Sequence, residues 1–354
     1  MRVTIPVTIT PAKLSSSTLA DVFVPAAYAA GTTYAFGALV SVDADYAKYE
    51  SLTNSNIGNT PLTSPAWWRK VGVLETAYNV GTSYPVGATA SSSDRVYQSL
   101  TAANIGNPLP VLPLTITAFW LDIGPTNKWA MLDLYRNTQS VSASTITVVI
   151  TPNERINTCA LVGVVGSSVT ISATSVLGGG TVYSYTESLT IRTVLDHYMY
   201  AFEPFASRPG LVRFNLPPFT DIIVTISISA TVGNVKCAGV IVGTYAFIGD
   251  AQYDAESDQI NFSLINRDVY GTATLVPRPS VPKTQQTLML DKTKVDFVYD
   301  LRDRLNAVVA LWTGLDDSSD SYFGMLLIVG VYKRFTINAK DFAMARINLE
   351  LEEI

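Results

Sequence analysis

The side chain best suited to proton transfer near neutral pH occurs once in this chain, as His197 in Leu195-Asp196-His197-Tyr198. A general base needs an activated partner within reach, and no serine or cysteine motif accompanies it. His197 therefore reads as a packing residue beside aromatics, and a hydrolase would have to rest on it or on Glu203. Nucleophile-elbow, zinc-protease and phosphate-loop patterns are missing from the sequence. Glycoside hydrolysis asks only for two carboxylates about 5 to 9.5 Å apart, which 29 acidic residues leave open. Asp316-Asp317-Ser318-Ser319-Asp320 is acidic enough for a cation loop but lacks the glycine and terminal glutamate of an EF-hand, so it reads as a solvated hairpin tip. Cys159 and Cys237 show no metal-ligand spacing and are expected as buried free thiols. No catalytic residue, metal ligand or cofactor is expected.

Aromatic rings offer the other chemistry, because flat faces of Trp, Tyr and Phe stack on the CH faces of sugars. Here they come in an internal repeat. Tyr28-x-x-Gly31-Thr32-x-Tyr34-x-x-Gly37 returns 50 residues later as Tyr78-x-x-Gly81-Thr82-x-Tyr84-x-x-Gly87. Tyr49-Glu50-Ser51-Leu52-Thr53 with Asn56-Ile57-Gly58-Asn59 returns as Tyr97-Gln98-Ser99-Leu100-Thr101 with Asn104-Ile105-Gly106-Asn107, at an offset of 48. Trp67-Trp68-x-x-Val71-Gly72 matches Phe119-Trp120-x-x-Ile123-Gly124 at 52. Three collinear blocks with small offset changes mean one scaffold used twice, with loops of different length. Units this small have little core, so Tyr34, Tyr84 and one Trp of each repeat are expected inside. Neighbours on a strand point to opposite faces, which leaves one ring of Trp67/Trp68 and one of Phe119/Trp120 outward. Tyr34, Trp67, Trp68, Tyr84, Phe119 and Trp120 are the candidate glycan-contacting residues.

The rest of the chain must position these units. Strand candidates are Thr145 to Ile150, Cys159 to Val165, Val169 to Thr174 and Asp221 to Ser229, with Ile222, Val224, Ile226 and Ile228 on one face. Val276-Pro277-Arg278-Pro279-Ser280-Val281-Pro282-Lys283 reads as a linker or crossing loop whose prolines exclude a central strand. Thr293 is placed to cap a helix carrying Val295, Val298, Leu301 and Leu305, with strands at Met325 to Val331 and Ala343 to Leu351 on either side. The expected fold is mainly β and multidomain. It comprises an extended or β segment (1–27), two small β repeats (28–74 and 75–125), a β-sandwich (126–249) and a C-terminal α+β assembly unit (250–354).

Composition narrows the class. A net charge of −5, with only 15% charged residues, argues against nucleic-acid binding and a polybasic membrane surface. Mean hydropathy is +0.25, yet Ser, Thr and Gly break the uncharged run Ile156 to Thr186, which reads as successive strands and not as a membrane span. The opening residues lack a secretory pattern, so synthesis in the cytoplasm is expected. Such an apolar excess in a β-rich chain points to burial against other copies of itself.

The two repeats resemble the type 5/12 class of carbohydrate-binding modules. Running directly into Gly124-Pro125-Thr126-Asn127-Lys128-Trp129-Ala130-Met131, after the opening Val7-Thr8-Ile9-Thr10-Pro11-Ala12-Lys13-Leu14, they are similar to a class of tailed-bacteriophage virion proteins. That resemblance implies a non-enzymatic structural component of the tail: a hub, baseplate or appendage-attachment protein. Its implied partners are copies of itself, other tail proteins and a bacterial surface glycan, without nucleic acid or membrane insertion. The alternative is a free polysaccharide-binding protein, or a module of a glycan-degrading enzyme.

Overall fold

In the stretch 221–229, Ile222, Val224, Ile226 and Ile228 are fully buried while the residues between them stay half-exposed. This alternation is what one face of a packed strand requires. In the computed structural model, the strand Ile223–Ser229 is the middle of a five-stranded antiparallel sheet. The order is Gly180–Ser188, Ser168–Ser175, Ile223–Ser229, Thr145–Ile150 and Leu14–Ser17. The structure describes the chain apart from residues 22–24, 43–46, 74, 112–113, 136, 192–195, 203–205, 209, 232, 268–269, 277, 279, 321 and 340–341.

A second, ten-stranded sheet carries most of the remaining strand residues. Its order is Gly210–Arg213, Thr158–Val162, Gly239–Phe247, Arg2–Pro6, Ala310–Thr313, Leu327–Asn338, Met344–Glu353, Ser280–Asp291 and Asp250–Ala251, with Glu256–Asn261 also on Ser280–Asp291. Individual strands serve two cores at once. Cys159, Leu161, Val240 and Val242 face the five-stranded sheet, completing a sandwich, while Ala160 and Ile241 join Leu311, Phe323, Leu327 and Val329 on the reverse side. Farther along, Val3, Trp312, Ile328, Ile347 and Leu349 pack with Val298 and Leu301 of the helix Val295–Arg304 and with Leu305, which caps its C-terminal end. The molecule is mainly β, with several sheets and this small C-terminal helix.

Several expectations are corrected. The opening residues are not a separate segment: Arg2–Pro6 lies in the middle of the large sheet, between Gly239–Phe247 and Ala310–Thr313. Through that strand the sheet runs across the expected boundary at 249/250. Ser280–Asp291 is a strand that takes in Ser280 to Lys283 of the stretch expected as a linker or crossing loop, Pro282 included. Pro282 is tolerated because only Gln259 pairs with it, and pairing to Met344–Glu353 starts one residue later, at Lys283. The helix cap also differs. Asp291 accepts hydrogen bonds from the Thr293 amide (2.8 Å) and hydroxyl (2.6 Å), starting the 3₁₀ turn that leads into the helix. A second short helix, His197–Phe202, was not foreseen.

Cys159 and Cys237 are free and wholly buried in the sandwich core. Burial pushes both thiols up to about 12 from an ordinary 9.0. A thiol that binds its proton more tightly when folded contributes stability that is whole below about pH 9 and is lost as pH rises toward 12. The expected result is no reaction with a thiol reagent at pH 8 in the native protein, two reactive thiols after denaturation, and a falling unfolding midpoint above pH 9. Rapid native labelling at pH 8 would contradict it.

Candidate functional site

Each repeat is a small antiparallel sheet wrapped round three rings. In the first, Leu39–Val42, Ala47–Ser51 and Trp68–Val73 pair in that order. In the second, Thr89–Ser92, Arg95–Ser99 and Trp120–Pro125 do the same, with Glu75–Ala77 added in parallel at the edge. Thr89–Ser92 and its counterpart Leu39–Val42 are both four residues long, and Thr89–Ser92 is the more polar in sequence. Its extra polarity faces inward: Thr89 and Ser91 are buried, and the Ser91 hydroxyl donates to the Thr76 carbonyl at 3.4 Å.

Tyr28 stacks on Tyr34 at 5.9 Å, and both meet Trp68 edge-on at 5.8 and 5.2 Å. Tyr78, Tyr84 and Trp120 repeat the arrangement at 6.1, 5.7 and 5.1 Å. Such ring pairs contribute beyond the area they bury, which matters in a unit with so few other core residues. The Tyr34 hydroxyl accepts from the Ala29 amide and the Tyr84 hydroxyl from the Asn79 amide. The Trp68 indole donates to the Asn59 carbonyl (2.8 Å) and the Trp120 indole to the Asn107 carbonyl (3.1 Å).

The Ser…Asn-Ile-Gly-Asn block proves to be scaffolding. Buried Asn56 donates to the Ser51 hydroxyl (3.1 Å) and the Trp67 carbonyl (3.2 Å), and accepts from Asn59 (2.9 Å). Asn104 does the same with Ser99 (3.1 Å), the Phe119 carbonyl (3.0 Å) and Asn107 (2.8 Å). Sequence reasoning did not assign these asparagines a role, although their return at an offset of 48 was the signal. Gly37 and Gly87 hold φ of +79° and +82°, a left-handed turn at the same place in both units. Asn104→Ala would leave Asn107 and Ser99 without their buried partner and is expected to cost the second repeat about 2 kcal/mol. Amide exchange of residues 78–125 would read this; unchanged protection would contradict it.

The six candidate rings fall into two groups. Trp68, Tyr84 and Trp120 are buried and Tyr34 is half-buried, all within the triads, so their faces are taken. Trp67 and Phe119 stand outward, 38% and 39% exposed. Strand alternation is not the whole reason. Both precede the strand, Trp67 closing a turn in which its amide donates to Ser64 at 3.0 Å, and their carbonyls are held by Leu52 or Leu100 and by the buried asparagine. Backbone fixation thus presents one ring per repeat to solvent. The second unit adds a two-pronged ion pair, Arg95 to Asp122 at 2.6 and 2.9 Å. Burial is the largest single influence and opposes the guanidinium's charge, but the hydrogen bond to Asp122 and the negative charges of Asp122 and Asp94 together outweigh it and raise Arg95 above its ordinary value.

Elsewhere, His197 is exposed at the start of its short helix and not packed as expected, beside an exposed Tyr198; Glu203 lies outside the described residues. In the acidic loop, Asp317 accepts from the Ser319 hydroxyl (2.7 Å) and amide (2.8 Å), which hold its carboxyl below the usual range. Asp316 pairs with Arg2 at 2.8 Å. Among the described residues no group of three or more His, Cys, Asp or Glu is placed to hold a metal ion, and no helix is long and apolar enough to cross a membrane. No protein-family profile matches the chain, and neither does any curated protein.

Proposed function

We propose that this chain is a structural component of a bacteriophage tail whose two N-terminal repeats contact a host-surface glycan through Trp67 and Phe119. The supporting observation is the pairing of a wholly committed aromatic core with one backbone-anchored outward ring in each of two duplicated units. A ring held rigid from behind loses little freedom on stacking, which is what a sugar platform needs. Two such platforms on one chain, multiplied over many copies in a particle, turn weak single contacts into firm attachment. The large sheet and sandwich provide the rigid body that carries them.

Glycan retention by the full chain on chitin and on bacterial surface polysaccharide tests the contact. Trp67→Ala is expected to weaken retention about fivefold, corresponding to about 1 kcal/mol for one stacking ring, with an unchanged circular dichroism spectrum. A wild-type chain that retains no glycan, or a variant that binds as the wild type does, would contradict it.

A further inference from the structure

The two repeats share a backbone but not the side chains around the outward ring. Among the described residues of 28–125 three aromatic side chains are exposed: Trp67, Phe119 and, in the first unit alone, Phe36 at 66%. Val86 stands at its place in the second unit. Phe36 is anchored through its backbone as Trp67 is, its amide donating to the Asn54 Oδ1 at 3.0 Å. The second unit has Ala102 there, in a turn of the same shape, since Ser55 and Ala103 hold φ of +56° and +50°. Ring and anchor thus differ together between the units, while the scaffold asparagines Asn56 and Asn104 keep the same bonds.

Phe36 and Trp67 flank one end of the central strand Ala47–Ser51. On one side the Gly37 amide donates to the Ser51 carbonyl at 2.8 Å, and on the other the Leu52 amide donates to the Trp67 carbonyl at 2.9 Å. Two strand spacings of ~4.8 Å put their backbones roughly 10 Å apart. One rung along, Glu50 and Arg69 are paired in register and joined by an ion pair. Trp67 and Arg69 sit on either side of buried Trp68 and so share the outward face, where the Arg69 side chain is 63% exposed. Glu50 reaches toward both neighbours: its Oε2 meets Arg69, and its Oε1 lies 4.0 Å from where a Cβ on Gly37 would stand. The Gln98 amide takes the same place over Gly87, also at 4.0 Å, but its cross-strand partner is Leu121, whose side chain has no polar atom.

We propose, resting on the glycan contact read above for Trp67, that the repeats are unequal sites and that the first is a two-ring site for a neutral oligosaccharide. Phe36 and Trp67 stack on separate sugar residues of one chain, and Glu50 with Arg69 bonds its hydroxyls. A sugar diol both donates and accepts, so it matches a carboxylate beside a guanidinium, an acceptor next to donors. Neutrality of the ligand follows from the pairing. Arg69 is already balanced by Glu50, which leaves that rung without net charge to draw an acidic chain. The second repeat, with one exposed ring and Gln98 facing Leu121, holds the same glycan more weakly.

The second unit supplies substitutions that the shared backbone already tolerates. In retention of the full chain on chitin and on bacterial surface polysaccharide, Phe36→Val/Asn54→Ala and Glu50→Gln/Arg69→Leu are each expected to weaken binding about fivefold, with unchanged circular dichroism. Phe119→Ala is expected to weaken it about twofold. The reverse graft, Val86→Phe/Ala102→Asn, is expected to strengthen it about threefold by giving the second unit its own pair of rings. If Trp67→Ala weakens retention while both converted variants bind as the wild type does, the two-ring site is overturned and the single-ring contact stands. Equal losses from Trp67→Ala and Phe119→Ala would make the repeats equal sites and overturn it as well. Retention confined to an acidic polysaccharide and released by salt overturns the neutral class. A wild type that retains neither probe removes the ring contact and this site together.

Discussion

Trp68→Ala is expected to unfold the first repeat while the sandwich and the large sheet stay folded. The indole is 2% exposed and meets both Tyr28 and Tyr34 edge-on. Its removal costs about 3–5 kcal/mol, and the Asn59 carbonyl loses its donor as well. A unit of some 47 residues, at roughly 0.05–0.15 kcal/mol per residue, has no more than about 2–7 kcal/mol to lose. Among the described residues, the other buried hydrophobics in its cluster are Val40, Ala47 and Tyr49. Among the described residues its three strands pair with no strand of the other sheets, so the loss stays local. Hydrogen exchange should show residues 28–72 unprotected and residues 145–229 unchanged, and Trp120→Ala should do the same to the second unit. Trp67→Ala, one position away, should leave protection intact. Equal effects of Trp67→Ala and Trp68→Ala would contradict the division into core and outward rings.

The second large effect is expected far from any ring. Gly243 pairs with Pro6 on one side and Thr158 on the other. A Cβ there would lie 2.1 Å from the Ile5 carbonyl oxygen, a backbone atom that cannot swing aside as a side chain can. Gly243→Ala must therefore push the opening strand away from Gly239–Phe247, where the sheet passes from the sandwich core to the helix-covered core. About 3 kcal/mol is expected, read as a lower denaturant midpoint. Gly330→Ala faces the same obstacle in the Glu352 carbonyl at 2.0 Å. A midpoint within error of the wild type would mean that the sheet yields there.

Local patterns were legible and long-range pairings were not. Alternation between 222 and 228 marked a buried strand face because that signal depends only on neighbours two residues apart. The duplicated blocks marked the repeats for the same reason, and the Trp-Trp and Phe-Trp pairs narrowed the outward ring to two positions each. Burial then decided between them, through indole bonds to Asn59 and Asn107 that join residues nine and thirteen apart. The place of Arg2–Pro6 beside Ala310–Thr313 was illegible, because nothing in either segment names a partner some 300 residues away. Pro282 misled because its penalty vanishes where one side of a strand is unpaired. Thr293 misled because Asp291, two residues earlier, caps the 3₁₀ turn ahead of the helix and takes the Thr293 amide and hydroxyl as its donors.

Localisation on intact particles tests the central claim most directly. Gold-labelled antibody against residues 28–124, applied to purified tailed particles whose genome encodes this chain and viewed by electron microscopy, is expected to mark the tail at a fixed position with several labels per particle. Particles that carry no label, with the chain recovered only as free protein, would contradict a structural role in the tail.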